Sequence, residues 1–364
     1  MIVQEIIQQL ETLAPLAYAE EFDNVGLLVG DKNTKVSGVL VTLDTLPEVV
    51  DEAIANDCNL IISFHPIIFK GLKSITGKTY VEQVVQKAIK NDICIFAIHT
   101  ALDNAFEGVN ATICEALELK HKSILIPQEG TLKKLSTFVP IAQADALRLA
   151  LFEVGGGAVG NYNNCSFNSN GLGTFKGNEH SNPVLGSPNE LKALEETKIE
   201  IIFEKHLEAV LLKTLKDKHP YEEVAHEIST LENKNQHIGM GMLGTFESAK
   251  AENDFIEFVK ERMNCEVIKH SKFLMKKIKK VAVLGGSGSF AISAAKAAGA
   301  DAFVSADLKY HDFFSADDQI LLLDIGHYES EQYIKSLLVS YLRKKIPNFA
   351  ILLSKINTNP VKYK

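Results

Sequence analysis

The order of apolar segments predicts an α/β fold: a mixed, mostly parallel sheet core covered by helices, with a ferredoxin-like α+β module inserted. Two observations carry this. Strand-length apolar runs alternate with helical periodicity through the first third of the chain and again through the last third. That is the rhythm of βαβ units, whose crossovers cover a parallel sheet on both faces. Between them the composition changes, with a Gly/Asn/Ser-rich stretch over residues 155–186 set among two strand–helix–strand sets, the pattern of a small ferredoxin-like module.

The elements follow in order. Residues 2–13 place apolar side chains at helical spacing. Residues 37–44 read as a buried strand, 48–56 as a helix, 60–64 as a strand, 80–90 as a helix, 93–98 as a strand and 107–119 as a helix. In the middle, residues 199–203, 207–215 and 226–229 supply the second strand–helix–strand set. In the last third a strand at 280–284 runs into Gly285-Gly-Ser-Gly-Ser, followed by a helix at 291–298. Strands are expected at 302–305, 319–323 and 350–354, with one long helix over about 329–345. The expected domains are a core from residues 1–125 and 236–364 and an insertion at 126–235. Such an insertion needs only that the module's two ends lie close together on the surface.

Composition narrows the function. The net charge of −8 comes with no dense basic run, so no electrostatic footprint for nucleic acid is indicated. No segment has the apolar length of a membrane span. The opening Met1-Ile-Val-Gln-Glu carries neither a basic nor a long apolar leader, and the expected compartment is the cytoplasm. Cys58, Cys94, Cys114, Cys165 and Cys265 are scattered, with no Cys-x-x-Cys pair. Neither a disulfide framework nor a thiolate zinc site follows from them.

Four stations lie where apolar strands end: His65-Pro66, His99-Thr-Ala-Leu-Asp103, Asp307-Leu-Lys309-Tyr-His311 and Gly326-His327-Tyr-Glu329-Ser-Glu331. Open parallel sheets bind ligands beyond the carboxyl ends of their strands. In one doubly covered sheet the four would share an edge. His327 and Glu331 are four residues apart at a helix start, so one imidazole and one carboxylate project from a single face. Structural readings stand beside these. A strand-end His65 can serve as a hydrogen-bonded structural residue, Asp103 as a cap and Glu331 as a solvated helix residue. Gly286-Ser-Gly-Ser-Phe-Ala291 fits the dinucleotide fingerprint, with the acidic Asp307 about twenty residues on. A nicotinamide or flavin oxidoreductase therefore stays an alternative, as does a tight turn with no ligand.

Taken in order, Asp23-Asn-Val-Gly-Leu-Leu-Val-Gly30, His65-Pro66, His99-Thr-x-x-Asp103, the Gly285 turn, Asp307-x-Lys-Tyr-His311 and Gly326-His327-x-x-x-Glu331 resemble the GTP cyclohydrolase 1 type 2 homologues, the NGG-interacting-factor-three family. The likeness runs the length of the chain, and Lys218-His219-Pro-Tyr-Glu222-Glu-Val-Ala225 resembles the CutA/PII-like domain of the longer members. The resemblance implies two closely spaced divalent ions, with ligands at His65, Asp103, His327 and Glu331, and a ring-shaped homohexamer. The family usually has two adjacent histidines before the proline; here the first is Phe64, which leaves the second ion in question. His99 reads as a structural strand-end residue.

A mixed imidazole–carboxylate set suits Zn, Fe, Mn, Co or Ni, one or two ions per chain. The expected activity is metal-dependent hydrolysis of a nucleotide-like or cyclic amide substrate, with Asp103 as a bridging ligand. Lys309 and His311 are the candidates for holding a substrate oxygen or moving a proton. A non-enzymatic metal-binding scaffold or regulator is the other reading.

Overall fold

The computed structural model describes residues 1–184 and 186–364. The chain divides into two compact units, Met1–Ile126 with Ile238–Lys364, and Pro127–His237. Among the described residues no helix is long and apolar enough to cross a membrane.

The first segment runs α1 (Val3–Leu13), β1 (Gly26–Val29), β2 (Val39–Thr42), α2 (Pro47–Ala55), β3 (Leu60–Ser63), α3 (Tyr80–Lys90), β4 (Cys94–Ala97), α4 (His99–Asn104), α5 (Val109–Ala116) and β5 (Lys120–Gln128). The middle runs β6 (Leu132–Pro140), α6 (Ala144–Glu153), β7 (Phe167–Lys176), β8 (Leu191–Glu204), α7 (Glu208–Lys218) and β9 (His226–Leu231). The last runs β10 (Asn235–Ala251), α8 (Glu252–Arg262), β11 (Lys269–His270), β12 (Lys277–Ser287), α9 (Ile292–Ala297), β13 (Ala302–Ala306), β14 (Leu321–Asp324), α10 (His327–Glu331), α11 (Ile334–Lys345) and β15 (Ile351–Leu353).

The first unit holds two sheets rather than the single one expected, ordered β1-β4-β3-β2-β15 and β11-β14-β13-β12-β10-β5. Strands β15, β2, β3 and β4 run parallel, as do β12, β13 and β14. Each parallel set is flanked by antiparallel partners of its own, β1 on β4, and β10 on β12 with β11 on β14. Among the described residues the two sets lie in separate sheets.

Alternation along the strands explains the layering. Val39 and Val41, Leu60 and Ile62, and Cys94 and Phe96 point one way, into the same core as Val281, Val283, Val304, Leu321 and Leu323 of the second sheet. Leu40, Ile61 and Ile95 point the other way, against Val49, Val50, Val84 and Ala88 of α2 and α3. Ala282, Phe303 and Leu322 do the same toward Ile292 and Ala295 of α9. A period of two sends successive side chains to opposite faces, so an all-apolar strand must be covered twice. The shared core, with α1, α5 and α11 contributing to it, lies between the sheets. Each fully buried large apolar side chain there contributes about 1.5–3 kcal/mol.

The long helix expected over 329–345 is two helices, α10 and α11. The joint between them is pinned: Gln332 Nε2 donates to the Met263 carbonyl at 2.9 Å and Tyr333 Oη to the Arg262 carbonyl at 2.8 Å.

The second unit has the order β7-β8-β6-β9, with neighbouring strands antiparallel. With α6 and α7 this is the βαββαβ ferredoxin-like arrangement. Leu135, Leu147, Leu151, Ile201, Phe203 and Leu211 form its core. Strand β7 falls in the Gly/Asn/Ser-rich stretch. It is an edge strand with most side chains exposed, so it carries no apolar alternation to read. Leu185, in the same stretch, lies outside the described residues.

Candidate metal centre

The two sheets present the carboxyl ends of their parallel strands to one place. Asp44 follows β2, His65 follows β3, and His99 and Asp103 follow β4 on α4. Asp307 follows β13, and His327 and Glu331 lie on α10 beyond β14. One ligand atom from each of His65, His327 and Glu331 falls within 4.8 Å of the others. Nε2 of His65 and Nε2 of His327 both lie 3.2 Å from the same oxygen, Glu331 Oε2.

Three histidines share one construction. Nδ1 of His65 is 2.8 Å from Asp44 Oδ1, Nδ1 of His327 is 2.7 Å from Asp307 Oδ2, and Nδ1 of His99 is 2.9 Å from Asp23 Oδ1. An ionised carboxylate only accepts, so each Nδ1 carries the proton and donates. That fixes the tautomer that leaves Nε2 as the ligating nitrogen, the orientation found for metal-binding histidines. The rings cluster, with His65 centred 5.4 Å from His327 and 5.2 Å from His99.

The charges are strongly perturbed. Burial disfavours a charge on His327, but the Asp307 and Glu331 carboxylates outweigh it and push the imidazole up to about 11. Burial likewise opposes His65, and Asp44 with Glu331 pushes it up to about 9. Burial would raise Glu331, but the imidazoles of His327 and His65 hold it down to about 2. Asp103 goes the other way: burial, with the nearby Glu331 charge, lifts it well above the carboxylate range.

The donor set fits a divalent cation. Glu331 and Asp103 are 3% and 9% exposed; Asp103 Oδ1 has no hydrogen-bond partner, and Glu331 Oε2 faces the two imidazole Nε2 atoms. A buried carboxylate oxygen without a donor is costly unless a cation compensates it. Two imidazole nitrogens aimed at the same spot complete a mixed set suited to borderline metals.

The glycine turn serves this centre. A Cβ on Gly286 would lie 2.6 Å from Glu331 Oε1, and its φ is +68°. The Gly285 and Gly286 N–H groups donate to Asn110 Oδ1 and Ser330 Oγ. Asp307 is held by Ser287 and His327. The fingerprint's glycines and acid thus pack against Glu331 and His327.

Lys309 and His311 do not join the cluster. Both side chains are exposed, and His311 packs against Tyr310 and Phe314. Neither lines the cavity of about 360 Å³ that opens beside His65 and His327, where Lys269, Tyr328, Asn359 and Tyr363 are found instead. A larger cavity of about 730 Å³ lies in the second unit beside Tyr221 and Glu196, with no comparable ligand set among the described residues.

Sequence reasoning missed Asp44 and undervalued His99 and Asp23. Asp23 Oδ2 also accepts from Thr100 N at 3.1 Å and Thr100 Oγ1 at 2.5 Å. The signal was available: Asp44 and Asp23 are acids beside apolar strands, as the histidines are.

A family model described as Duf34/NIF3 (NGG1p interacting factor 3) matches residues 1–360. The chain belongs to the Duf34/NIF3 family. A GTP cyclohydrolase 1 type 2 homolog of Bacillus subtilis is 37% identical over 98% of this chain and 97% of its own length. One from Staphylococcus epidermidis is 34% identical over the whole of both chains. Among solved structures, a Bacillus cereus protein related to NIF3 superposes with a TM-score of 0.86 at 36% identity, covering 100% of this chain and 99% of that one. Reduced HcgD from Methanocaldococcus jannaschii, at 18% identity and a TM-score of 0.59 over 98% of each chain, shares the fold.

Proposed function

We propose that this Duf34/NIF3 protein is a metal-dependent hydrolase acting on a nucleotide-like or cyclic amide substrate. In this reading His65, His327 and Glu331 hold one divalent ion, of Zn, Fe, Mn, Co or Ni. Asp103 would supply a further carboxylate ligand were a second ion bound. The observation that carries the reading is the convergence of His65 Nε2 and His327 Nε2 on one buried carboxylate oxygen, Glu331 Oε2, 3.2 Å from each. A divalent ion held there supplies Lewis acidity and lowers the pKa of a water. The chain's own part is orientation: Asp44 and Asp307 fix the two imidazoles, and the cavity of about 360 Å³ beside them receives the substrate.

Metal analysis of protein purified without chelator tests this, side by side with Glu331→Gln. The wild type is expected to hold one ion firmly, and Glu331→Gln to lose it along with hydrolysis of GTP or of a cyclic amide. Metal retained at the wild-type level in Glu331→Gln sinks the reading. Metal bound without any hydrolysis favours the scaffold or regulator instead.

A further inference from the structure

Beyond β15 the chain forms no regular element, yet residues 354–359 are tied to both sides of the centre. Ser354 Oγ donates to Glu52 Oε2, and Lys355 N to Glu52 Oε1 at 2.8 Å. Thr358 is 5% exposed, and its Oγ1 donates to Asp44 Oδ2 at 2.6 Å. The next residue reaches the other sheet's side of the centre: Asn359 Nδ2 donates to Glu329 Oε1 at 3.0 Å. Asn359, Pro360, Val361 and Tyr363 then wall the cavity that opens on His65 and His327.

Two adjacent side chains thus bind one acid on each side. Asp44 has a second oxygen, Oδ1, which accepts from His65 Nδ1. A carboxylate held by one hydrogen bond still turns about its last torsion, whereas one held through both oxygens has its plane fixed, and with it the ring it orients. Glu329 lies two residues from His327 and two from Glu331 on α10.

We propose that the C-terminal segment is a positioning clamp of the metal centre: Thr358 fixes Asp44 and through it His65, while Asn359 fixes the helix bearing His327 and Glu331. This rests on the metal-centre reading above. A tail that merely docked would add stability without altering the spacing of the ligands. The clamp sets that spacing, so its loss appears in the affinity and in the coordination geometry.

The test uses the full chain and Co(II) alone. Affinity is measured by competition with a chromophoric chelator, and geometry by the visible absorption of the bound Co(II). Thr358→Val, which removes the hydroxyl, is expected to weaken Co(II) binding by about 10–100-fold, the usual cost of losing an outer-shell partner, and to change the spectrum. Thr358→Ser, which keeps the hydroxyl, is expected to restore both. Asn359→Ala, at a half-buried position, is expected to weaken binding as well and serves should Thr358→Val not fold. Combined with Asp44→Asn, Thr358→Val should add little further loss, because the two act in series. Unchanged affinity and spectrum in Thr358→Val, with only a lower Tm, overturn the clamp. His65→Ala separates the two readings. If it leaves Co(II) binding intact, the metal centre itself is wrong; if it abolishes binding while Thr358→Val and Asn359→Ala do not weaken it, only the clamp is.

Discussion

A phenyl ring stands at position 64, fully buried in the shared core and centred 5.0 Å from the His65 ring and 5.5 Å from His99. Carbon and hydrogen cannot donate a lone pair to a borderline ion, so a second ion here would have one imidazole fewer to bind it. Wild-type protein is expected to keep fewer than two ions per chain after dialysis, and Phe64→His to raise the count; elemental analysis of both decides, and two firm ions in the wild type refute it. The same neighbourhood predicts a pH dependence. His65 is raised to about 9 and His327 to about 11 by their carboxylates. A histidine raised above its unfolded value of about 6.5 stabilises fully below that pH, and the contribution is lost as pH rises through the folded value. The metal-free chain should therefore lose stability between about pH 6.5 and 11, by on the order of 3 kcal/mol at most from His65, complete by about pH 9 for that residue, read as a falling Tm. Metal uptake should release protons over the same range, since a ligating Nε2 cannot carry one. A flat Tm across that window counts against the charged imidazoles.

Among the secondary-structure elements, the strand ends, the glycine-rich end of β12 above all, decide whether the ligands meet. Gly286 has φ +68°, and a Cβ there would press on Glu331 Oε1 at 2.6 Å, whereas Gly299 has the same φ and nothing within 4 Å. The pair separates backbone strain from displacement of a ligand. Both Gly→Ala changes should cost roughly 1–2 kcal/mol from the left-handed backbone. Only Gly286→Ala should also weaken metal binding, by tenfold or more. Equal metal affinity in the two variants, measured by chelator competition, would show that the turn's closeness to Glu331 is incidental.

On the scale of the whole chain, the first unit draws its core from its own two segments, and the second has a separate core around Leu135, Ile201 and Phe203. Strands β5 and β10, which lead into and out of the second unit, are neighbours in one sheet, and Gly241 lies close to the Leu125 side chain. A short linker therefore closes the gap left by deleting residues 132–231, and the shortened chain should fold and still bind metal. The full chain is expected to sediment as a homohexamer, the assembly implied by resemblance; exposed Tyr310 and Phe314, at 75% and 65%, are the kind of surface another copy covers. Circular dichroism with metal analysis checks the first expectation and sedimentation velocity the second. An unfolded deletion variant, or a monomeric full chain, contradicts the corresponding half.

The sequence by itself determined the buried strands and most helices, because apolar runs and 3.6-residue periodicity are local signals. It also marked His65, His327 and Glu331, which the structure brings together, because each follows a strand that is readable alone; Asp103 lies outside that group of three. It did not reveal that the parallel strands divide between two sheets, since pairing is a long-range choice that no single strand encodes. Nor did it show β7, whose polar edge has no alternation, or that Lys309 and His311 stay on the surface while Asp44, Asp23 and Thr358 support the histidines. Those roles depend on which side chains end within hydrogen-bonding distance after distant segments pack. Thr358 meets Asp44 across 314 residues of chain, a separation at which only the tertiary structure decides who is a neighbour.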